Sequence, residues 1–267
     1  MSSGTDNIEE FLTEPLTEEE LLRKLQAGSK PMTQIKVELV GSCCTDLDTV
    51  NAARVSFDKE SEWIDNPFKN NKSDCLHADD VKLIKYLAAH KHMTPFRHNF
   101  IKLRVKAPIF LAAQLKKHQA GLSWNEVSRR YVSSEPEFYV PDAWRAKPEG
   151  SIKQGSAGVV TDLVYDNVYS EDIVPVGPEY AEFIDNAVDF YNTMLKSDVA
   201  PEMARMVLPQ SMMTEWIWSG NLLAFAHVYK ERIANGAQQE AQDFAKQLNE
   251  AIGDLAPVSW KALTNEH

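Results

Sequence analysis

The sequence predicts an α+β fold that is rich in helix and contains a mostly antiparallel or mixed sheet. Several segments repeat apolar side chains at helical spacing, whereas a few short, separated segments alternate apolar and polar side chains as strands do. The 267 residues are 43% hydrophobic and 25% charged, which is typical of a folded globular protein. We expect residues 34–267 to form one domain, and the acidic, polar residues 1–33 to be an N-terminal extension.

The elements of the N-terminal half follow from local patterns. Thr17 and Glu20 have the spacing of a capping box, which predicts a short helix within the extension. Pro108 is suited to the first turn of a helix and Gly121 to its end. In chain order we predict a strand at 35–40, a helix at 46–55, a loop at 58–74, a helix at 79–90, a strand at 101–105, a helix at 109–119 and a loop at 123–131.

Amphipathic helices dominate the C-terminal half. Residues 133–178 contain several prolines and glycines with little periodicity, so we expect an extended connection across the surface. After it we predict helices at 179–196, 221–233 and 237–252, with an aromatic-rich strand at 212–218.

Charge and cysteine content exclude several classes of protein. A net charge of -11 argues against a nucleic-acid-binding surface, because phosphate backbones require a basic face. The three cysteines Cys43, Cys44 and Cys75 have no metal-ligand spacing, so we predict no metal site and no disulfide framework. No apolar run reaches the length of a membrane span, and the N-terminus lacks an export signal. These features favour the reducing cytoplasm.

The densest cluster of polar side chains lies between Gln114 and Tyr131. Gln114, Lys117 and His118 have spacings of three and four, which would place an amide, an ammonium and an imidazole on one helix face. Hydroxyl, carboxylate and guanidinium groups follow within a few residues, and such a set suits a phosphate and a heterocycle. The same composition also fits a solvated, charged helix end.

Two arginines farther along the chain are also candidates. Arg205 is the one charge in a short apolar run, so it either reaches solvent or points into a polar cavity. Arg232 follows Asn221 by eleven residues, about three helical turns, so both can face one site. A structural ion pair is the alternative for each arginine.

The polar cluster resembles the signature of the flavin-dependent thymidylate synthases, which is normally Arg-His-Arg, seven residues and Ser. Here it reads Lys117-His-Gln-Ala-Gly-Leu-Ser-Trp-Asn-Glu-Val-Ser128-Arg-Arg-Tyr131. The resemblance extends to five further blocks in the family's order: Ala52-Ala-Arg-Val-Ser-Phe57, His92-Met-Thr-Pro-Phe-Arg-His98, Lys106-Ala-Pro-Ile-Phe110 with Gln114, Ala204-Arg-Met-Val-Leu-Pro209, and Arg232 with Ala237-Gln-Gln-Glu240.

The chain departs from the family pattern at several positions. Lys117 and Gln119 replace arginines, and one residue is inserted near Leu122. Lysine keeps the charge but loses the planar fork, and glutamine keeps only hydrogen bonding, so flavin recognition should differ in detail. Leu223 and His227 replace polar residues that commonly touch FAD in relatives.

The resemblance implies an enzyme that converts dUMP to dTMP, with FAD as cofactor, NADPH as hydride source and methylenetetrahydrofolate as carbon donor. It implies that Arg232 is catalytic, stabilising negative charge on the uracil. The dUMP contacts that it implies are Gln114, Lys117, Glu126, Ser128, Arg130, Arg205 and Arg232. The FAD contacts are Ser56, His92, Thr94, Lys117, His118, Gln119, Glu126, Asn221 and His227.

The resemblance also implies a homotetramer whose active sites are shared between subunits. A different class of function remains open, namely a degenerate dUMP-binding module that has lost flavin turnover because of Lys117 and Gln119. All three arginines at 130, 205 and 232 are expected to converge on one nucleotide, within one chain or across copies.

Overall fold

The computed structural model describes residues 34–65, 74–132, 134–148, 155–161, 163–166 and 173–264. The predicted helix near Thr17 lies outside the described residues, and the division of the chain after residue 33 stays a prediction. Among the described residues, no helix is both long enough and apolar enough to cross a bilayer.

The strands and helices of the described chain are as follows. The strands are β1 (Lys36–Cys43), β2 (Ile64–Asp65), β3 (Asp74–Cys75), β4 (Phe100–Pro108), β5 (Leu122–Glu126), β6 (Val164–Asp166), β7 (Ile173–Pro175) and β8 (Met213–Asn221). The α-helices are α1 (Asp46–Arg54), α2 (Ala78–Ala89), α3 (Ile109–Leu115), α4 (Val176–Lys196), α5 (Pro201–Ala204), α6 (Leu222–Ile233), α7 (Gln239–Ile252) and α8 (Pro257–Thr264). Short 3-10 turns lie at Val55–Phe57, Thr94–Arg97 and Arg205–Val207.

A four-stranded antiparallel sheet in the order β1-β4-β8-β5 organises the fold. This arrangement confirms the predicted helix-rich α+β class. On β4, Ile101, Leu103 and Val105 are fully buried while the residues between them are exposed, as a strand with one core-facing side requires. Two short antiparallel pairs, β2 with β3 and β6 with β7, lie outside this sheet.

The core lies between this sheet and helices α6, α7 and α8, and it is rich in aromatic side chains. Trp216, Trp218 and Trp260 are at most 2% exposed, and Phe225 and Phe244 are fully buried. Each such side chain removes roughly 150–250 Å² from water, which stabilises the fold by at most about 4–6 kcal/mol. Trp218 of β8 contacts Phe225 of α6 and Phe244 of α7, and Trp260 of α8 contacts α6, so these rings hold the three helices together beside the sheet.

Two predictions around the signature segment are wrong in detail. The predicted loop at 123–131 begins as strand β5, because Trp124 stacks on Trp216 of β8 at 4.1 Å and pairs with Trp218. The predicted helix at 109–119 ends at Leu115, and Pro108 belongs to β4 as its last residue. Two turns then lead to Gly121, whose φ of 75° allows the chain to enter β5.

Other boundaries differ by a few residues, and the two helices α5 and α8 were not predicted. Strand β8 continues to Asn221, and α4 begins at Val176 within the predicted connection. Helix α8 was not predicted because the side chain that caps its first turn comes from a distant part of the sequence. The buried Asp46 carboxylate accepts hydrogen bonds from the backbone N–H groups of Val258 and Ser259 at 2.9 and 2.7 Å.

Candidate active site

Arg232 lies in the last turn of α6 and contacts His118, which follows α3. Its Nε and Nη2 atoms lie 3.0 and 2.8 Å from Nε2 of His118. Burial, and then the charges of Arg232 and His227, lower the pKa of His118 to about 4. The imidazole is therefore neutral near pH 7, accepts through Nε2 and carries its proton on Nδ1. Arg232 retains its positive charge beside this neutral partner.

Gln114 lies near the end of α3, one turn before His118. Its Nε2 donates a hydrogen bond of 2.6 Å to Oε1 of Gln238, the residue that precedes α7. This contact joins α3 to the connection that follows Arg232. Gln114, His118 and Arg232 are all half-buried, and together they form what we call the Arg232 group.

Glu126 ends β5 and is held by three donors. Lys116 Nζ and Trp124 Nε1 lie 2.7 and 3.1 Å from its Oε2, and the Thr214 hydroxyl lies 2.9 Å from its Oε1. Burial raises the pKa of Glu126, but the hydrogen bonds from these side chains and the charge of Lys116 outweigh burial and lower the pKa below its ordinary value. Glu126 is consequently a fixed, ionised acceptor.

Arg130 and Arg205 meet at Glu202 in the short helix α5. Arg130 Nε lies 3.0 Å from a carboxylate oxygen of Glu202, and Arg205 Nε donates to the Glu202 carbonyl at 3.3 Å. Half of the Arg130 side chain and half of the Glu202 side chain are exposed, so their ion pair stabilises the fold by only about 0–1 kcal/mol. A strong anion can displace this carboxylate at small cost.

A cavity of about 500 Å³ connects Arg205 to Glu126. We call it the Arg205 cavity; Arg129 and Thr214 also line it, and Arg232 does not. Ser128 lies in the turn between Glu126 and Arg130, where its Oγ accepts from the Arg130 N–H at 3.4 Å.

A second cavity, of about 720 Å³, brings together Ser56, His92 and Thr94. It lies between the end of α1, α2 and the turn that begins at Thr94, and we call it the His92 cavity. Apolar walls from Tyr86 and Phe57 lie beside the hydroxyl and imidazole groups, and Phe57 is 76% exposed. Such a mixture of flat apolar surface and a few polar groups is typical of cofactor sites.

The remaining predicted FAD residues lie around the turn after α3 and along α6. Asn221 caps α6, where its Oδ1 accepts from the Ala224 N–H at 2.9 Å. His227 is exposed, and its ring lies edge-on to the ring of His118 with the centroids 5.8 Å apart. Lys117 and Gln119 are exposed in the turns that follow α3, so a ligand can reach both.

The structure therefore gathers many of the predicted residues into three places: the Arg232 group, the Arg205 cavity and the His92 cavity. The others are not in these places: Lys117, Gln119, Ser128, Arg130, Asn221 and His227. Within one chain Arg130 and Arg205 come together at Glu202, whereas Arg232 contacts His118. The helix face predicted for Gln114, Lys117 and His118 is only partly formed, because the helix ends before Lys117.

Several residues in these places were not singled out from the sequence. Lys116 carries no signal of its own beyond lying next to matched positions, whereas Gln238 lies within a matched block but was assigned no role. Thr214 carries a hydroxyl and is 8% exposed, and it follows the apolar Met212 and Met213, so a polar residue in that position could have been noticed. The residues to which the sequence assigned no role are Lys116, Trp124, Glu202, Thr214 and Gln238.

Comparison with known proteins shows which family this sequence matches. Residues 38–258 match the family described as Thy1, thymidylate synthase complementing protein. The chain belongs to this family. The match spans the region from Ser56 to Glu240 that contains every predicted site residue, and it confirms the resemblance found in the sequence.

Similar members of the Thy1 family include flavin-dependent thymidylate synthases from two bacteria. The one from Thermus thermophilus is 34% identical over 231 residues, which is 86% of this chain and 76% of the relative. The one from Kosmotoga olearia is 34% identical over 229 residues, 86% of this chain and 88% of the relative.

Solved structures agree with these relatives. A UMP/dUMP methylase, PolB from Streptomyces cacaoi, bound with 5-bromo-UMP, has a TM-score of 0.68 and 30% identity, covering 88% of this chain and 97% of that one. The same methylase bound with 5-bromo-dUMP has a TM-score of 0.67.

Proposed function

We propose that the protein is a flavin-dependent thymidylate synthase that methylates dUMP to dTMP, with methylenetetrahydrofolate as carbon donor and NADPH-reduced FAD as hydride source. The proposal rests chiefly on the family match, which spans all the predicted site residues. Relatives that carry this activity in their name, and a methylase structure bound with a dUMP analogue, support it.

Arg232 is the residue that activates the uracil. Methylation at carbon 5 requires electron density on the ring, and loss of the N3 proton leaves negative charge there. A guanidinium whose partner is the neutral imidazole of His118 can stabilise this charge, because no carboxylate in that contact neutralises it. Gln114, in the same group, offers hydrogen bonds to the ring edge.

Arg130 and Arg205 hold the phosphate, and Glu126 and Ser128 bind polar groups of the nucleotide. Arginine forks match phosphate oxygens, and a phosphate dianion attracts Arg130 more strongly than the exposed Glu202 carboxylate does. Lys117 adds a further positive charge at the edge of the site. Each of these cations is local, which explains how a chain with a net charge of -11 binds an anion.

FAD, when bound, supplies the hydride chemistry that no side chain can perform. The donors of the His92 cavity fit such a cofactor, since Ser56 and Thr94 offer hydroxyls, His92 an imidazole and Tyr86 a ring surface. The other FAD contacts in the proposal are Lys117, His118, Gln119, Glu126, Asn221 and His227.

The active site is shared between copies of the chain in a homotetramer. Within the described residues of one chain, neither Arg130 nor Arg232 lines the Arg205 cavity, and a second copy is the way in which we propose that all three arginines reach one nucleotide. Exposed apolar side chains surround Arg130 and Arg205 and would be covered by a neighbour: Tyr131 is 82%, Met206 76% and Met203 56% exposed.

A cytoplasmic location is also part of the proposal. Cys43, Cys44 and Cys75 are free thiols, as a reducing compartment would keep them. Burial, and then the charges of Asp46 and Asp48, raise the pKa of Cys44 to about 12, so this thiol is not a nucleophile.

Absorbance and turnover test the proposal together. The purified protein should be yellow, or become yellow with FAD, and should form dTMP only when dUMP, NADPH and methylenetetrahydrofolate are all present. UMP in place of dUMP tests whether the ribose 2′-hydroxyl is accepted. A colourless protein that binds dUMP without turnover would refute the enzyme and favour the degenerate dUMP-binding module. Sedimentation of the same sample gives the number of subunits.

A further inference from the structure

Gln114 is connected to a buried charged cluster by a chain of hydrogen bonds. At the buried end, the Glu240 carboxylate is 3% exposed and accepts from Arg145 Nη2 at 2.5 Å and from the Tyr139 hydroxyl at 3.2 Å. At the other end, Gln114 Nε2 donates to Gln238 Oε1 at 2.6 Å. The Gln238 side chain lies between the two ends, close enough to the Glu240 carboxylate to help lower its pKa.

The Glu240 carboxylate is ionised in this cluster. Burial raises its pKa, but the hydrogen bond and charge from Arg145, with help from Gln238, outweigh burial and lower the pKa below its ordinary value. An ionised carboxylate can only accept hydrogen bonds. Among the described residues, Oε2 of Glu240 is buried and accepts no hydrogen bond of ordinary geometry, so this oxygen is left for the nearby Gln238 side chain.

The chain of hydrogen bonds consequently has a direction. Gln238 can face the carboxylate of Glu240 only with its N–H group, which leaves its Oε1 for Gln114. Gln114 must then point its Nε2 at Gln238, as it does. Its Oε1 and its second N–H remain for a ligand.

The orientation of this amide decides which pyrimidine it can read. An oxygen facing N3 and an N–H facing position 4 match uracil, which has a donor at N3 and an acceptor at O4. The same amide turned over matches cytosine, which has an acceptor at N3 and an amino donor at position 4. A wrong orientation leaves polar groups without partners inside the site, and that penalty is a strong source of selectivity.

We propose that Glu240, anchored by Arg145 and Tyr139, acts through Gln238 to fix the Gln114 amide in the orientation that accepts uracil and rejects cytosine. The inference rests on the proposed function, because that function places Gln114 against the ring of dUMP. Glu240 and Gln238 are positioning residues, since they act on the ring through Gln114. A buried ion pair contributes little net stability compared with apolar packing, which leaves room for such a role.

Two substitutions separate this role from a structural one. In Glu240→Gln, Arg145 keeps the side-chain oxygen, so the new amide N–H faces Gln238 and reverses the chain of hydrogen bonds. In Gln238→Leu the chain is cut and the Gln114 amide is free to turn. Gln239→Leu is the matched control, because Gln239 is the half-buried neighbour whose amide bonds to Asp243 at 2.9 Å and not to Gln114 or Glu240 within the part of the chain that the structure describes.

The measurement is the equilibrium affinity of each flavin-loaded variant for dUMP and for dCMP. We expect the ratio of dUMP to dCMP affinity to fall about tenfold or more in Gln238→Leu, and further in Glu240→Gln, where dCMP binding itself should improve. The ratio should be unchanged in Gln239→Leu. Thermal unfolding of each variant identifies any loss of nucleotide affinity that comes from misfolding. The Gln238→Leu variant keeps the buried ion pair of Arg145 and Glu240 intact.

The possible failures are distinguishable. A wild-type protein that forms no dTMP would refute the proposed function. A wild-type protein that forms dTMP, together with an unchanged affinity ratio in a folded Gln238→Leu variant, would overturn the orienting role alone. Equal loss of dUMP and dCMP binding in both variants would also overturn it, since that pattern indicates a general weakening of the site.

Discussion

Replacing Arg232 with alanine should nearly abolish dTMP formation while the fold survives. The guanidinium is half-buried, and among the residues that the structure describes it makes two hydrogen bonds, both to the neutral His118. Removing one preorganised donor from an anion-stabilising site typically costs about 10²–10³ in kcat. Because Arg232→Ala removes several donors and the charge, we expect a loss of at least about 10³-fold in kcat.

The same substitution should cost little stability. Two hydrogen bonds to a neutral acceptor contribute about 1–3 kcal/mol in all, which lowers the melting temperature of a domain this size by roughly 2–12 °C. Arg232→Lys keeps the charge but loses the fork, so its activity should be intermediate. The pKa of His118 should rise in the alanine variant, because one of the charges that lower it is gone, although burial remains the larger cause.

The assay is dTMP formation at saturating NADPH and folate, with NMR titration of His118 as an independent measurement. Arg104→Ala is the control, since Arg104 is a half-exposed arginine that pairs with Glu215 at 2.9 Å. It should retain activity within about twofold, as exposed ion pairs contribute little. Retention of more than about a tenth of wild-type activity in Arg232→Ala, with the His118 pKa raised as expected, would refute the catalytic role of Arg232.

Two further predictions test other parts of the site. Lys116→Gln removes a hydrogen bond and a charge that lower the pKa of Glu126, so the acidic limb of the pH profile of kcat/KM for dUMP should move to higher pH; an unmoved limb would show that ionised Glu126 is not required. Gly121→Ala should lower the free energy of unfolding by roughly 1–3 kcal/mol in a denaturant titration, because φ is 75° there and a Cβ atom would lie 2.6 Å from Nδ2 of Asn221. Gly41→Ala, with open space around the Cβ position, is its control, and equal stability of the two variants would contradict the steric argument.

Local patterns predicted most of the helices and strands because the apolar side chains of each one repeat at helical or strand spacing within its own segment. Strand β5 shows where an available pattern was overlooked: Leu122, Trp124 and Glu126 alternate with exposed residues, but the polar letters between them suggested a loop. Its pairing with β8 depends on the stacking of Trp124 on Trp216, which is distant in sequence. Helix α8 could not be predicted from its neighbours, since the side chain that caps it is Asp46.

The candidate site was predicted as a set of residues, but the grouping of those residues was not. The spacing of Gln114, Lys117 and His118 suggested one face, whereas the helix ends after Leu115 and directs Gln114 and His118 to different partners. Those partners, Gln238 and Arg232, come from the far end of the sequence. Contacts of this kind depend on how α3, α6 and α7 pack, and no local pattern encodes them.

The partner of each arginine decides which of the two sequence-based interpretations applies to it, structural ion pair or ligand contact. Arg54 and Arg145 pair with the buried carboxylates of Asp80 and Glu240, which are 1% and 3% exposed. Separating either pair would leave a buried charge uncompensated at a cost of about 3–5 kcal/mol, so neither arginine is expected to leave its carboxylate for a ligand.

Arg232 faces a neutral histidine, Arg205 a backbone carbonyl, and Arg130 an exposed carboxylate. None of these contacts neutralises a buried charge. A bound anion can therefore pair with these arginines without leaving a buried carboxylate unpaired. The three arginines predicted to touch dUMP are thus among those that are not committed to a buried carboxylate. A net negative chain can bind a nucleotide for this reason: binding depends on where charge is left uncompensated, and the total charge decides only the long-range field.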